Sequence, residues 1–311
     1  MLDLNRLKAL HAVHVYGSVG AAAEALMVTP SAISQQIAKL ERETGATLVE
    51  RNGRGIRLTD AAGVLAEHAE RILALVESAE ADFQALRGAV VGRINVGAFP
   101  TAARGLLPKA LVLLRKRHPE LQAHLYELEP EVAMRKVVRG ELDLVVAQDW
   151  MNQPLGVPEG LSRKTLFDDI ADVALPADHP LAGRAEIELS ELRDAGWISG
   201  SPGTICHEWL VYTLRSYDLE PEVVYWANEY DTQLALVEAG LGCAIVPRLG
   251  RCYVPDRVRM VPTLPRQIRR IWALWRTDAA RRPAIRAAVD ALSAVSRELI
   301  PGEQAEKVQA G

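Results

Sequence analysis

The sequence predicts a chain of two structural classes, an all-α part over about its first 90 residues and an α/β part over most of the rest. In the first part, apolar residues recur every three or four positions, which is the spacing of amphipathic helices. In the second part, short apolar strands alternate with helical stretches, which is typical of a parallel sheet with crossover helices. A chain of 311 residues is long enough for about two domains.

Composition indicates an ordinary globular protein. Hydrophobic residues make up 49% and charged residues 24%, and no apolar run approaches the roughly 18 residues of a membrane span, so we expect a cytoplasmic protein with no membrane contact. The net charge of −4 argues against a generally basic nucleic-acid coat, but residues 1–58 carry seven Lys and Arg against five acids. One end of the molecule is therefore predicted to be locally basic. The three cysteines imply neither a metal site nor a disulfide framework.

The first helices are predicted by their capping residues as well as by their apolar spacing. A helix over residues 4–16 is followed by a turn at Gly17, and Ser18 is the expected N-cap of a second helix, VGAAAEALM. Thr29 and Pro30 open a third helix in the order N-cap, then first position. Two short helices joined by a tight turn are the pattern of a helix-turn-helix.

The third helix, TPSAISQQIAKLE, has an unusual outer face. Ile33, Ile37 and Leu40 form its apolar side. The opposite ridge carries small uncharged residues such as Ser31, Ser34 and Gln35, where a solvated helix usually carries Glu and Lys. Such a ridge favours close approach to a polar partner.

A hairpin is predicted directly after this helix. The stretch ATLVERNGRGIRLT alternates apolar and polar residues around NGRG, with Gly53 or Gly55 in the turn. Arg51, Arg54 and Arg57 lie three residues apart, so we interpret the hairpin as a wing that contacts phosphates. The alternative is an ordinary surface hairpin.

A long helix with a heptad seam is predicted from Thr59 to about Leu86. At 1.5 Å per residue it extends about 40 Å, more than a small winged domain needs, so we expect its seam to pair with the same helix of a second subunit. The alternative is a helix packed on its own domain. The seam includes Leu65, Ala69, Ile72, Val76, Ala79, Phe83 and Leu86.

Residues beyond GAVVG predict two α/β lobes. The first comprises the strands RINVGA, LQAHLYEL and LDLVVA with helices between them. The second includes DVALP, WIS, EVVYWA and CAIVP, before RRIWALWR returns as a strand and residues 283–299 form a closing helix. Two such lobes joined by crossing strands place a cleft between them, where strand ends face ligands.

At this point residues 1–300 resemble the LysR-type transcriptional regulator family. The signature runs from LKALHAVHVYGSVGAAAEALMVTPSAISQQIAKLERETGATLVERNGRGIRLTDAAGVLAEHA over about 60 residues, and RINVGAFPTAARGLLPKAL, ELDLVVA, HPLAG and VEAGLGCAIVP follow in the expected order. The resemblance implies a winged helix-turn-helix, a dimerising linker helix and a two-lobed effector domain similar to periplasmic binding proteins. It also implies promoter DNA as a partner, self-association into a dimer and then a tetramer, and contact with RNA polymerase.

The expected boundaries follow from combining the pattern with the resemblance. The winged domain takes residues 1–58, the linker helix 59–88 and the effector domain 92–300, with a tail over 301–311. Within the effector domain, lobe I covers about 92–163 and 268–300, and lobe II covers about 164–267.

The resemblance and the helix chemistry together nominate the site residues. DNA contacts are expected from Ser18, Thr29, Pro30, Ser31, Ser34, Gln35, Arg51 and Arg54. Effector contacts are expected from Phe99, Pro100, Thr101, Gln148, Asp149, Ser199, Ser201, Thr204, Asn228, Glu229 and Thr232. For each of the effector residues, loop capping or solvated surface is the competing interpretation.

The expected effector is a small molecule with a carboxylate, or an amino acid, held by loop amides and helix N-termini, so that no Lys or Arg is required. No cofactor or metal is expected. An enzyme is the main alternative class, but GxSxG, HExxH and P-loop motifs are absent from the sequence. A solute-binding protein for transport would predict a secretion signal and no helix-turn-helix.

Overall fold

The computed structural model describes residues 2–52, 55–85 and 90–299. The described residues fall into two compact units, one within Met1–Ala89 together with Arg139–Glu141, and the other within Val90–Val138 and Leu142–Gly311. Throughout the described ranges, each helix is too short or too polar to cross a bilayer.

The first unit is a helical core with a short hairpin. Its elements are α1 (Leu4–Tyr16), α2 (Val19–Ala25), α3 (Pro30–Thr44), β1 (Val49–Asn52), β2 (Gly55–Leu58) and α4 (Asp60–Ala85). Ser18 accepts a hydrogen bond from the Ala21 amide and Thr29 from the Ala32 amide, so both predicted N-caps are confirmed. The prediction that α2 reaches Met27 is wrong, because this residue has a left-handed φ of 54° that a right-handed helix cannot contain.

The predicted hairpin is confirmed for its strands. β1 and β2 pair antiparallel, and Asn52 lies opposite Gly55. The turn residues between them, Gly53 and Arg54, lie outside the described residues. Glu41 on α3 accepts hydrogen bonds from the Leu48 and Val49 amides, at 2.8 Å and 3.2 Å, and so fixes the start of the hairpin to α3.

The heptad seam of α4 divides into two parts. Ala62 and Ala69 are completely buried in the core of the winged domain, and Leu65 and Ile72 pack against that core. The interpretation of the whole seam as a subunit interface is therefore wrong for Ala69, whose methyl group is already enclosed by its own unit. Further along, Ala79 and Phe83 are exposed and Val76 is half-buried, whereas Leu86 lies outside the described residues.

The second unit contains two α/β lobes. Its helices are α5 (Pro100–Gly105), α6 (Leu107–Arg117), α7 (Pro130–Val138), α8 (Ile205–Arg215), α9 (Tyr230–Glu238) and α10 (Pro283–Leu299). Its strands are β3 (Gly92–Ala98), β4 (Leu121–Glu127), β5 (Leu144–Trp150), β6 (Leu161–Pro176), β7 (Gly196–Ser199), β8 (Glu222–Trp226), β9 (Ala244–Pro247), β10 (Val258–Val261) and β11 (Gln267–Arg276).

One mixed sheet runs through both lobes in the order β10-β6-β11-β5-β3-β4, and β9 also pairs with β6. The predicted parallel pairing is confirmed for β3 with β4 and β5, and for β7 with β8. It is wrong elsewhere, because β11 returns from lobe II and inserts antiparallel between β5 and β6.

Strand β6 is much longer than the predicted DVALP. Residues 161–171 pair with β11 and residues 171–176 pair with β9 or β10, so the strand belongs to both lobes. The expected lobe boundary between residues 163 and 164 falls inside it. The strand β10 was not predicted at all, because RMVP in the sequence is a short apolar run with no turn signal of its own.

An ion-pair cluster around the buried Asp172 joins β6 to the loop after β9. Asp172 accepts two hydrogen bonds from Arg248, at 2.9 Å and 2.8 Å, and one from Arg251 at 2.9 Å. Burial alone would raise the pKa of Asp172, but the two guanidinium groups outweigh it and the pKa is lowered. The charged form of this carboxylate therefore stabilises the folded protein.

We expect Asp172→Asn to lower the free energy of unfolding by about 2 kcal/mol near pH 7, because it leaves the largely buried Arg251 without its carboxylate, whereas the more exposed Arg248 can be solvated instead. The native pKa of Asp172 lies below its unfolded value of about 3.9, so the stabilisation is complete above that value and is lost as the pH falls through the native pKa. Chemical unfolding at several pH values down to about 3 should show the difference shrinking. The exposed Asp178→Asn is the control, and a difference that stays constant with pH would contradict this account.

Candidate functional site

The small-residue ridge of α3 is exposed, as its sequence suggests. Ser31, Ser34 and Gln35 all lie on the surface, beside the exposed start of the helix at Thr29 and Pro30, and Ser18 is exposed at the start of α2. The Thr29 and Ser31 hydroxyls lie 3.0 Å apart, and the Ser34 hydroxyl donates to the Pro30 carbonyl at 3.1 Å. The ridge therefore presents short polar groups close to the helix surface.

The wing is described only in part. Arg51 lies on β1, where its backbone alone is described, and Arg54 lies outside the described residues. Arg57 on β2 is exposed and lies opposite Glu50 in the hairpin.

A cavity with about 490 Å³ of empty space, including the part open to solvent, lies between the two lobes of the second unit. Lobe I contributes the start of α5, the residue before α7, one residue of β5 and one of β11, and lobe II contributes the starts of α8 and α9. The lining residues are Phe99, Pro100, Thr101, Glu129, Gln148, Gly200, Thr204, Ile205, Cys206, Asn228, Glu229, Tyr230, Gln233 and Arg269.

The floor of the cavity is built around Arg269, which is completely buried. Its Nε donates to Asp169 at 2.8 Å, its Nη2 donates to the Thr101 hydroxyl at 2.8 Å, and its Nη1 donates to the Gln148 side-chain carbonyl. Asp169 also accepts a hydrogen bond from the Leu249 amide at 3.0 Å. The guanidinium charge is thus neutralised by a buried carboxylate, and two neutral side chains of the floor each accept one further N–H.

The loop after Leu249 holds Thr101 in place from behind. Gly250 has a φ of 73°, and a Cβ at this position would lie 2.5 Å from the Thr101 carbonyl oxygen. A Cβ at Gly105 would in turn lie 2.6 Å from the Gly250 amide nitrogen. Glycine is therefore required at both positions for α5 to approach this loop.

A chain of polar groups continues from the floor into lobe II. The Gln148 amide group lies 3.7 Å from the Cys206 sulfur, which in turn lies 3.3 Å from the Tyr230 hydroxyl. Burial raises the pKa of the Cys206 thiol and of the Tyr230 phenol, so both groups are held in their neutral, hydrogen-bonding forms.

The mouth of the cavity is acidic. Glu129 from lobe I and Glu229 from lobe II both line it. Burial raises the pKa of Glu129, and repulsion from Glu131, Glu229 and Glu127 raises it further. An ion pair between Arg104 on α5 and Asp231 on α9, at 3.0 Å, joins the two lobes beside this mouth. In the described ranges, no group of three or more His, Cys, Asp and Glu residues is arranged to hold a metal ion.

Comparison with known families decides the identity of this arrangement. Residues 4–63 match the bacterial regulatory helix-turn-helix protein, lysR family, and residues 87–297 match the LysR substrate binding domain. The second match alone covers more than half of the chain. The protein belongs to the LysR family.

Individual relatives agree with this assignment. The chain is 32% identical to the Hca operon transcriptional activator HcaR of Escherichia coli over 79% of this chain and 82% of that protein. It is 27% identical to the uncharacterized HTH-type transcriptional regulator YnfL of Escherichia coli over 92% of this chain and 96% of that protein. A full-length OxyR variant from Pseudomonas aeruginosa has the same fold, with a TM-score of 0.75, 23% identity and coverage of 96% of this chain and 95% of that chain.

As a LysR-type transcriptional regulator, the protein combines a DNA-binding helix-turn-helix with a domain that binds a small-molecule effector between two lobes. The cavity brings together seven of the nominated effector residues, namely Phe99, Pro100, Thr101, Gln148, Thr204, Asn228 and Glu229. Thr204 is also the N-cap of α8, and Asn228 accepts a hydrogen bond from the Ser201 amide, so each has a structural role as well.

Four nominated residues do not line this cavity. The expectation that Asp149 contacts the effector is wrong, because neighbouring residues of β5 point to opposite faces and Gln148 faces the cavity. The Asp149 carboxylate instead accepts a hydrogen bond from the Trp272 indole at 2.8 Å. Ser199 faces an adjacent smaller cavity. Ser201 uses its backbone to hold the Thr204 loop, and Thr232 lies on the exposed side of α9, next to the inward-facing Gln233.

The sequence interpretation missed the charged floor of this LysR effector domain. The effector contacts expected from the sequence include no Lys or Arg, whereas Arg269 lines the cavity. Glu129 was missed as well. Strand alternation could have identified the arginine, since Arg269 and Arg270 are consecutive in β11 and therefore point to opposite faces.

Proposed function

We propose that this LysR-type regulator reads promoter DNA with α3 and the wing, under control of an effector that the lobe cavity binds. The exposed ridge of α3 is the observation that carries the DNA-reading part of this proposal. Ser31, Ser34 and Gln35 let the helix approach base edges in a major groove, and a Gln amide is suited to the N6 and N7 atoms of adenine. The amides at the helix start near Thr29 suit phosphate oxygens.

We expect Gln35→Ala to relax base preference at one operator position, which is a loss of about 1–3 kcal/mol for the preferred base. Arg54→Ala, which removes a wing cation, should weaken binding to all sequences alike and reduce its salt dependence. Gel shifts on the intergenic region upstream of the gene, with random duplex as the control, measure both effects. Equal binding of the intact protein to operator and random DNA, across a panel of effectors, would refute the assignment of α3.

We propose that the exposed end of the α4 seam mediates dimerisation. The buried positions of the seam are already occupied by the winged domain, which leaves Val76, Ala79 and Phe83 as the candidates. We further propose, on the strength of family membership, a tetramer built from two dimers, contact with RNA polymerase, and action in the cytoplasm where promoters are found. The named relatives are transcriptional regulators, and we propose no catalytic activity or cofactor.

Val76→Asp should shift the protein from dimer to monomer, because it places a charge in an apolar interface. Arg71→Asp introduces the same side chain at an exposed position outside the seam and should leave association unchanged. Ile72 is less suitable for this test because it packs against the winged-domain core. Sedimentation at micromolar concentration separates the outcomes, and a wild-type protein that is already monomeric there would end the proposal.

We propose that the effector is a zwitterion, of which an amino acid is the simplest example. The floor offers the N–H groups of Arg269, the Thr101 hydroxyl and the amides at helix starts, all of which suit a carboxylate. The mouth offers the carboxylates of Glu129 and Glu229, which suit an ammonium group. A ligand that satisfied both would also relieve the repulsion between the two acids.

Glu129→Gln and Glu229→Gln should each weaken amine-bearing ligands about tenfold, a loss of about 1.4 kcal/mol, and leave simple carboxylates unaffected. Thr101→Ala should weaken both classes, because it removes a hydroxyl from the floor. Glu120→Gln, which changes an exposed acid outside the cavity lining and not among the groups that raise the pKa of Glu129, is the control. A thermal-shift screen of amino acids and their deaminated analogues, followed by titration calorimetry, provides the measurement. An uncharged cognate ligand would refute the zwitterion and leave DNA binding untouched.

A further inference from the structure

Two junctions of unequal strength join the lobes beside the effector cavity. The first lies where β5 meets α8, next to the lining residues Gln148 and Cys206, and we call it the inner junction. The second lies between α5 and α9, next to the lining residues Thr101 and Glu229, and we call it the outer junction. The contacts at each junction indicate which of the two opens when a ligand enters or leaves.

The inner junction is buried. The rings of Trp150 and Trp209 stack 3.6 Å apart, and the two residues are only 1% and 2% exposed. Asn152, which follows β5, accepts a hydrogen bond from the Trp209 indole at 2.8 Å and donates one to the Thr213 hydroxyl at 3.0 Å. Separating the lobes here would break the stack and leave buried polar groups without partners, so this junction resists opening.

The loop after β9 holds α5 in place from behind the cavity. Leu249 on this loop belongs to the apolar core of lobe I, and its amide donates to Asp169 on β6 at 3.0 Å. The next residue, Gly250, approaches Thr101 so closely that a Cβ would lie 2.5 Å from the Thr101 carbonyl oxygen. Helix α5 is therefore fixed to the strands that pass between the lobes, and a separation of α5 from α9 is a movement of α9.

The outer junction is exposed and electrostatic. Arg104 and Asp231 form an ion pair at 3.0 Å, and their side chains are 28% and 59% exposed. Arg104 lies one helical turn after Thr101, and Asp231 follows Glu229 by two residues, so the pair borders the mouth of the cavity. When this contact breaks, water solvates both charges, and dissolved salt screens their attraction. The outer junction is therefore the weaker of the two.

We propose that the effector enters and leaves the cavity between α5 and α9, where the Arg104–Asp231 ion pair acts as a gate, while the inner junction stays closed and serves as the hinge. This inference rests on the proposed effector site and adds the route by which a ligand reaches it. It assigns the ion pair a role in the rate of ligand exchange, and recognition remains with the residues of the floor and the mouth.

Cys206 reports the opening of the cavity without any ligand. Its thiol lines the cavity, and burial raises its pKa, so it reacts slowly while the lobes are together. Cys243 is buried in the core of lobe II and reacts only when that core unfolds. The full-length protein carries Cys252→Ser, which removes the exposed thiol. Labelling with fluorescein maleimide, followed by peptide mass spectrometry, gives the rates at Cys206 and Cys243, and the unfolded protein gives their intrinsic rates.

We expect Arg104→Gln and Asp231→Asn each to raise the labelling rate of Cys206 up to about fivefold, the factor that corresponds to about 1 kcal/mol for an exposed ion pair. The rate at Cys243 should stay unchanged. The double variant should label no faster than the single ones, because all three lack the same contact. Higher salt should speed labelling of Cys206 in the wild-type protein and have little effect in the variants.

Arg215→Gln is the control, because it breaks another exposed ion pair, with Glu220 at 2.6 Å on the surface of lobe II, and should leave Cys206 unaffected. Wild-type labelling rates in both gate variants, or additive increases in the double variant, would overturn the inference. Parallel labelling of Cys206 and Cys243 would overturn it too, because unfolding would then admit the reagent, and so would wild-type labelling at the intrinsic rate. None of these measurements involves a ligand, so their failure is distinguishable from a failure of the zwitterion proposal.

Discussion

The buried guanidinium of Arg269 is the interaction on which the effector domain depends. An ionised side chain removed from water is stable only if a counter-charge and hydrogen-bond acceptors are supplied at fixed positions. The planar fork of an arginine makes this demand strict, since its donors diverge at set angles. Asp169, Thr101 and Gln148 meet it from three separate elements, β6, α5 and β5. The antiparallel insertion of β11 between β5 and β6 places residue 269 beside both strands, opposite Trp150 on β5 and Asp169 on β6.

The same contacts prepare the cleft for a ligand before one arrives. Thr101 is held by Arg269 in front and by the close approach of Gly250 behind, so its hydroxyl has little freedom to lose on binding. The Gln148 side-chain oxygen accepts a hydrogen bond from Arg269, and its nitrogen lies beside the Cys206 sulfur. The polar contacts of the floor therefore continue into lobe II. The lobes also meet at the Arg104–Asp231 ion pair, a partly exposed contact of modest strength. The floor is therefore rigid, whereas the mouth is joined by a weaker contact.

Much of this architecture could be predicted from the sequence, and the failures have physical causes. Helix caps at Ser18 and Thr29 were predictable because capping depends on residues only a few positions away. The periodicity of the sequence predicts the apolar seam of α4. It does not show whether the same domain or a second subunit covers each position of the seam. The expectation that Ala69 contacts a second subunit is therefore wrong, because its own domain encloses it. The antiparallel strands were missed because pairing direction depends on where β11 returns to the sheet, and that is a long-range property. The wrong expectation for Asp149 and the missing one for Arg269 have the same cause: neighbouring residues of a strand point to opposite faces, so only one of each pair reaches the cleft.

The charges of the cleft favour a specific kind of selectivity. Arg269 does not make the site strongly attractive to anions, because Asp169 cancels its charge at a distance of 2.8 Å. What the guanidinium offers a ligand is oriented N–H groups. The uncompensated charges are the carboxylates of Glu129 and Glu229 at the mouth, and these repel a simple dianion as it enters. A ligand with one carboxylate and one ammonium group meets oriented N–H groups at the floor and opposite charge at the mouth, whereas a ligand with two carboxylates must place one of them beside the acids. Under the zwitterion proposal, discrimination among metabolites that all carry a carboxylate arises from the mouth of the cavity, and the buried floor determines how the accepted ligand is oriented.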